Sequence, residues 1–135
     1  MRRVLIGAVL AALVAGQVAA QAVDGPIRGV IRGQLDAFQA DDLATAFGFA
    51  SPMIKGLFET PENFGQMVMT GYPMVWRPAD VEFTGLVERG GRMYQNVMIT
   101  DRAGALHLLE YEMVPAGDGW QINGVRFLRP GALGA

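Results

Sequence analysis

Val81-Glu82-Phe83-Thr84-Gly85-Leu86-Val87-Glu88-Arg89-Gly90-Gly91 is the stretch on which the fold turns. Val81, Phe83, Gly85 and Val87 alternate with Glu82, Thr84, Leu86 and Glu88, the period of two that belongs to strands. Gly90-Gly91 then supplies the positive backbone angles that a tight reversal requires. A second strand follows over Arg92–Thr100, and Asp101-Arg102-Ala103-Gly104 reads as a turn closed by glycine. A third strand runs over Leu106–Val114, with Leu109, Tyr111 and Met113 on one side and Leu108, Glu110 and Glu112 on the other. Pro115 to Gly119 turns the chain into a last strand at Trp120. There Trp120 and Ile122 share a face, while Val125 and Phe127 fall on the opposite parity across Asn123-Gly124. Either a bulge sits at that glycine or the strand is apolar on both faces.

Upstream of the strands the period is helical. Asp24-Gly25-Pro26 opens a helix of about three turns in which Ile27, Val30, Ile31, Leu35 and Phe38 form one apolar face. Asp41-Asp42 starts a second, with Leu43, Ala46, Phe47 and Ala50 inward, and Pro52 stops it. Ser51-Pro52 and Thr60-Pro61 are cap and first-turn pairs for two more helices, carrying Ile54, Leu57 and Phe58, then Phe64, Met67 and Val68. Tyr72-Pro73 and Arg77-Pro78 bracket an extended connector, because a residue before proline is pushed out of the helical region. Helices first and strands after describe an α+β domain, N-terminal helices packed on a bent four-stranded antiparallel sheet.

Residues 1–20 read as a cleavable signal peptide. Arg2 and Arg3 give a basic start, Val4–Ala15 an apolar run, and Val18-Ala19-Ala20-Gln21-Ala22 a small-residue end, with cleavage after Ala20 or after Ala22. The run is shorter than the roughly 20 apolar residues of a spanning helix, so no stable membrane anchor is expected. The chain has no cysteine to carry a lipid or form a disulfide. Periplasmic or secreted localisation follows, with a single domain over 21–128 and a flexible tail over 129–135. The whole chain holds 11 basic and 13 acidic residues; without Arg2 and Arg3 the balance is 9 against 13. That acidic excess argues against a nucleic-acid partner.

The segment Ala37-Phe38-Gln39-Ala40-Asp41-Asp42 leading into Ala46-Phe47-Gly48-Phe49-Ala50-Ser51-Pro52, with Phe64-Gly65, Tyr72-Pro73, Arg77-Pro78, Gly119-Trp120 and Ile122-Asn123-Gly124, resembles the family called domain of unknown function 4864. More distantly, the layout is similar to the cone-shaped fold of nuclear transport factor 2 and ketosteroid isomerase. The first resemblance promises no activity. The second implies a cone between sheet and helices, and that fold hosts isomerases, dehydratases and binding domains alike.

No chemical constellation declares a reaction. His107 is the only histidine and falls on the parity of Leu109, Tyr111 and Met113, where Tyr94, Asp101 or Glu110 could orient it as a general acid or base. A polar edge residue is its plainer role. Asp41-Asp42 could pair as acid and base, but adjacent carboxylates at a helix start serve more simply as caps. One histidine and no cysteine leave no zinc set, and the scattered methionines form no copper cluster, so no metal or other cofactor is implied. No glycine-rich phosphate loop and no nucleophile elbow is present. Tyr72, Trp76 and Arg77 in the connector, with Tyr94 and Tyr111 on strands, are the candidate ligand-binding residues.

The reading that follows is an exported, non-catalytic binding or scaffold domain for a small molecule or an envelope protein. The alternative is a small periplasmic isomerase, dehydratase or hydrolase using His107 in a cone-shaped pocket. A purely structural subunit that pairs through its sheet is a third reading. Leu86, Leu108 and either Ile122 or Val125 are expected beside Glu82, Thr84, Glu110 and Glu112 on the sheet's outer face, an apolar strip suited to a homodimer.

Overall fold

The computed structural model describes residues 24–129. The signal-peptide segment 1–20 and all of the tail after Arg129 lie outside the described residues. Helix α1 occupies 24–39, longer than the three turns expected, and residue 24 is already helical. It buries Ile27, Ile31, Leu35 and Phe38 as the periodicity predicts. Four shorter helices follow: α2 (Leu43–Gly48), α3 (Pro52–Phe58), α4 (Pro61–Gly71) and α5 (Pro73–Trp76).

The caps fall where the sequence puts them. Asp42 accepts from the Thr45 amide at α2, Ser51 from the Ile54 amide at α3, and Thr60 from the Asn63 amide at α4. Asp41 does not share the cap. Its φ of 58° is left-handed, and its carboxylate meets Arg77 Nη2 at 2.6 Å. The connector is not extended either. Tyr72 and Arg77, each before a proline, do leave the helical region at ψ 58° and 75°, but the four residues between them make the single turn α5. Leu57, expected inward, is 68% exposed.

The sheet is a meander in the order β1 (Asp80–Arg89), β2 (Arg92–Thr100), β3 (Leu106–Ala116), β4 (Gly119–Phe127), every neighbour antiparallel. Arg89 pairs with Arg92, so Gly90 and Gly91, at φ 58° and 80°, form the whole of the first reversal. Val97, Ile99, Leu109, Tyr111 and Met113 are buried on the face that meets the helices.

Two bulges set which residues join them. In β1, Phe83 pairs with Val97 but Leu86 with Gln95, so the extra residue at Thr84-Gly85 reverses the alternation. Leu86 therefore joins Val81 and Phe83 toward the helices, and Val87 turns outward. In β4, Gly124 pairs with Glu112 and Ile122 with Met113, which leaves Asn123 as the extra residue. Of the two alternatives at Asn123-Gly124, the bulge is the one found. It also turns Ile122 and Val125 both inward, since Val125 pairs with the buried Tyr111. The expected outer strip loses Leu86, Ile122 and Val125 to the helix side, and Leu108 alone of that set stays outside.

The helical half is fastened to the sheet at the β4 bulge. Ser51 N donates to Ile122 O at 2.8 Å and Ile122 N donates to Phe49 O at 2.9 Å, a short parallel bridge. Ser51 Oγ donates to Asn123 Oδ1 at 2.7 Å, and Asn123 Nδ2 donates to the Glu112 carboxylate.

Candidate functional site

Between the helices and the sheet lies a cavity of about 220 Å³. α1 supplies Gln34 and Phe38, one turn apart on the same face. α3 and α4 supply Ile54, Leu57, Phe58, Phe64, Met67 and Val68, and Tyr72 and Val75 close one side. The floor is Tyr111 of β3 with Ile122, Gly124 and Val125 of β4. The bulge at Asn123 explains that floor. It aims two branched side chains three positions apart into one layer, and Gly124 adds no side chain between them. Leu57 lines the cavity and is also 68% exposed, so the cavity reaches the surface at α3.

Among the described residues the lining is apolar apart from three side chains. Gln34 Nε2 donates to Ala46 O at 3.1 Å. Tyr72 donates its hydroxyl to Val125 O at 3.1 Å, and its ring stacks on Phe127 with centroids 5.1 Å apart and planes 8° apart. Tyr111 is fully buried, and its hydroxyl has no hydrogen-bond partner among the described residues. Burial first, then the neighbouring Tyr72 phenol, push its pKa well above the ordinary value of 10, so it is a neutral O–H donor.

The outer face of the sheet has the opposite chemistry. Glu110, 6% exposed, accepts from Arg126 Nε at 2.7 Å and from Arg89 Nη2 at 3.1 Å. Burial raises its pKa, but the two guanidiniums outweigh that and hold the carboxyl below its usual range. Glu112 accepts from Asn123, from Tyr94 at 3.1 Å and from Arg92 at 3.2 Å, and is likewise held low, Asn123 being the largest cause. Arg89 also lies over the Tyr94 ring, 4.1 Å from its centroid.

The residues singled out from the sequence are thus divided among four places. Tyr72 and Tyr111 line the cavity. Tyr94 lies across the sheet in the ion-pair network. Trp76 packs on Phe38 with centroids 5.5 Å apart, and Arg77 donates to Phe38 O at 2.7 Å while pairing with Asp41, so both tie α5 to the end of α1. His107 has the inward parity expected of it but does not line the cavity. Its Nε2 lies 2.8 Å from Asp101 Oδ2, and Asp101 Oδ1 accepts from the Ala103 and Ala105 amides at 2.9 Å each. The His107 contact, then the Ala105 amide, hold the Asp101 carboxyl below its ordinary range. Among the described residues no group of three or more His, Asp or Glu is placed to hold a metal ion.

A family profile described as Domain of unknown function (DUF4864) matches residues 19–134. The chain belongs to that family. No curated protein and no solved structure matches it. In this DUF4864 domain, N-terminal helices pack on a four-stranded antiparallel sheet, the nuclear transport factor 2-like arrangement. Two segments that carried the family resemblance, Phe49 to Pro52 and Ile122 to Gly124, meet at the bridge and at the Ser51–Asn123 hydrogen bond. Sequence reading gave Ser51 only a capping role. The signal that bears on its second role is that both segments carry the family resemblance. No helix among the described residues is long and apolar enough to cross a membrane.

Proposed function

We propose that this DUF4864 domain is a non-catalytic binding module that acts outside the cytoplasm after cleavage of residues 1–20, and that it holds a small apolar molecule in the cavity between its helices and its sheet. The observation that carries the reading is the cavity itself. Its 220 Å³ are walled by apolar side chains from both layers and reach the surface at Leu57. The bent sheet and cone of the resemblance fit such a cavity, and the two bulges are the devices that curve a sheet. Catalysis by His107 draws no support from the site, because the ring, though Asp101 is placed to orient it, lies at the β2–β3 turn and does not line the cavity. Self-association remains part of the proposal in a narrower form, through an outer corner of Met98, Leu106 and Leu108. Sedimentation equilibrium with a Leu108→Glu variant tests that corner.

The binding test is a methyl NMR titration of the mature domain with n-propylbenzene. Shifts confined to Ile54, Val68, Val75, Ile122 and Val125, abolished in a Val125→Trp variant that fills the cavity, are the expected result. No shift near the solubility limit, or shifts only on the outer face, would refute the reading. Intact mass of the exported form is expected to lack the first 20 or 22 residues; recovery of the full-length chain from the membrane fraction would refute the export part.

A further inference from the structure

We infer that the ligand of this cavity is a neutral molecule built on one ring or a short branched chain, carrying a single hydrogen-bond acceptor such as a ketone or ester carbonyl that receives the Tyr111 O–H. The inference rests on the cavity being the ligand site and adds the chemistry of what fills it.

Size comes first. An engineered apolar cavity of about 150 Å³ takes benzene. The 220 Å³ here leave room for a ring and a few more heavy atoms, and the rings of Phe38, Phe58, Phe64 and Tyr72 offer edges and faces to it.

Polarity follows from counting which hydrogens are already given. Gln34 Nε2 gives one of its two hydrogens to Ala46 O, which leaves that side chain partnered, and Tyr72 donates its hydroxyl to Val125 O. Tyr111 is left as the one polar side chain of the lining that is fully buried and without a partner among the described residues. A buried hydroxyl with no partner is destabilising, so a ligand acceptor that satisfies it gains more than the same bond would give in water. Charge is settled by what the wall lacks. Among the described residues no Lys, Arg or His lines the cavity, and the arginines of β1, β2 and β4 are engaged with Glu110 and Glu112 on the outer face. A carboxylate head would enter without a counter-ion, at a large desolvation cost. A phenol of raised pKa donates to a carbonyl, and it offers no positive charge to an anion.

The test uses three probes of closely similar size on the mature domain: n-propylbenzene, propiophenone and phenylacetate. Dissociation constants come from NMR titration of wild type and of Tyr111→Phe. Wild type is expected to bind propiophenone roughly fivefold more tightly than propylbenzene, the worth of one net neutral hydrogen bond. It should bind phenylacetate more weakly than either, and Tyr111→Phe should bring ketone and hydrocarbon together. Equal binding of ketone and hydrocarbon by wild type would overturn this inference, since water or nothing would then satisfy the hydroxyl, while the cavity reading stands. A ketone preference that survives in Tyr111→Phe would overturn the assignment to Tyr111, and phenylacetate binding as tightly as the ketone would overturn the neutral head. Binding of none of the three would remove the cavity reading and this inference with it.

Discussion

Ser51→Ala should cost more than an ordinary helix cap, because the one hydroxyl serves two elements 72 positions apart in sequence. Its cap contact to the Ile54 amide is long, at 3.4 Å, and belongs at the weak end of cap energies, about 0.5 kcal/mol. Its bond to Asn123 Oδ1 is short, at 2.7 Å, and Ser51 is 1% exposed. Removing the hydroxyl leaves Asn123 Oδ1 facing a methyl group in a part-buried place, a loss of about 1–2 kcal/mol. The two together come to about 2 kcal/mol, a sizeable fraction of the roughly 5–15 kcal/mol that holds a typical domain. For a domain of this size that is a fall in Tm of about 10 °C.

Urea unfolding followed by circular dichroism measures the loss, and a double-mutant cycle with Asn123→Ala isolates the shared bond. A coupling of about 1 kcal/mol is expected between the two sites. Additive single effects, or a Ser51→Ala cost below about 0.5 kcal/mol, would show that the helices are held to the sheet by the backbone bridge at Ile122 and by core packing, without help from the hydroxyl.

Glu110→Gln should destabilise by about 1–2 kcal/mol, since one amide oxygen replaces a carboxylate that serves two guanidiniums, both half-exposed or more and able to return to water. The folded-state pKa of Glu110 is depressed, so its contribution is present above the ordinary value of 4.5 and is lost as pH falls toward the folded value. Wild type should therefore weaken below about pH 4.5, and Glu110→Gln should weaken less over that interval in urea titrations at stepped pH; parallel curves would refute the pairing. Tyr111→Phe should leave stability unchanged or raise it by up to about 1 kcal/mol, because it deletes a buried hydroxyl that has no partner, and a loss of more than about 1 kcal/mol would reveal an internal acceptor. His107→Ala should speed hydrogen exchange at the Ala103 and Ala105 amides, which depend on Asp101, while leaving n-propylbenzene binding unchanged; altered binding would place His107 in the site after all.

Much of the architecture was legible because it rests on local chemistry. Gly90-Gly91 between alternating runs fixes a two-residue reversal, and Ser51-Pro52 and Thr60-Pro61 announce helix starts whose caps form as read. The β4 bulge was half legible, since Trp120 and Ile122 conflict in parity with Val125 and Phe127 and only an extra residue reconciles them on one face. The β1 bulge left no such conflict. Thr84-Gly85 continues a regular alternation, and the apolar residue after it fits either face, so Leu86 was placed outside and the outer strip with it. α5 is one turn long, too short for any periodicity to show, and its flanking prolines signal only where it ends.

The site was less legible than the fold because its decisive property is an absence. Strand parity puts Tyr111 on the helix face, but that its hydroxyl has no acceptor among the described residues depends on where the side chains around it come to lie, with the Tyr72 hydroxyl and Val125 O already paired with each other. Asn123 shows how closely structure and site are joined. As the extra residue of β4 it throws Ile122 and Val125 into one layer and so makes the cavity floor, while its side chain joins Ser51 on the helix side to Glu112 on the outer face. A substitution there must change stability and cavity shape together, and loss of binding in such a variant says nothing about ligand chemistry. Tyr111 is different: its hydroxyl holds up no part of the fold, so a binding change in Tyr111→Phe reports on the ligand alone. The pair therefore separates a cavity that exists because the domain must be fastened together from a donor that the folded chain leaves unused.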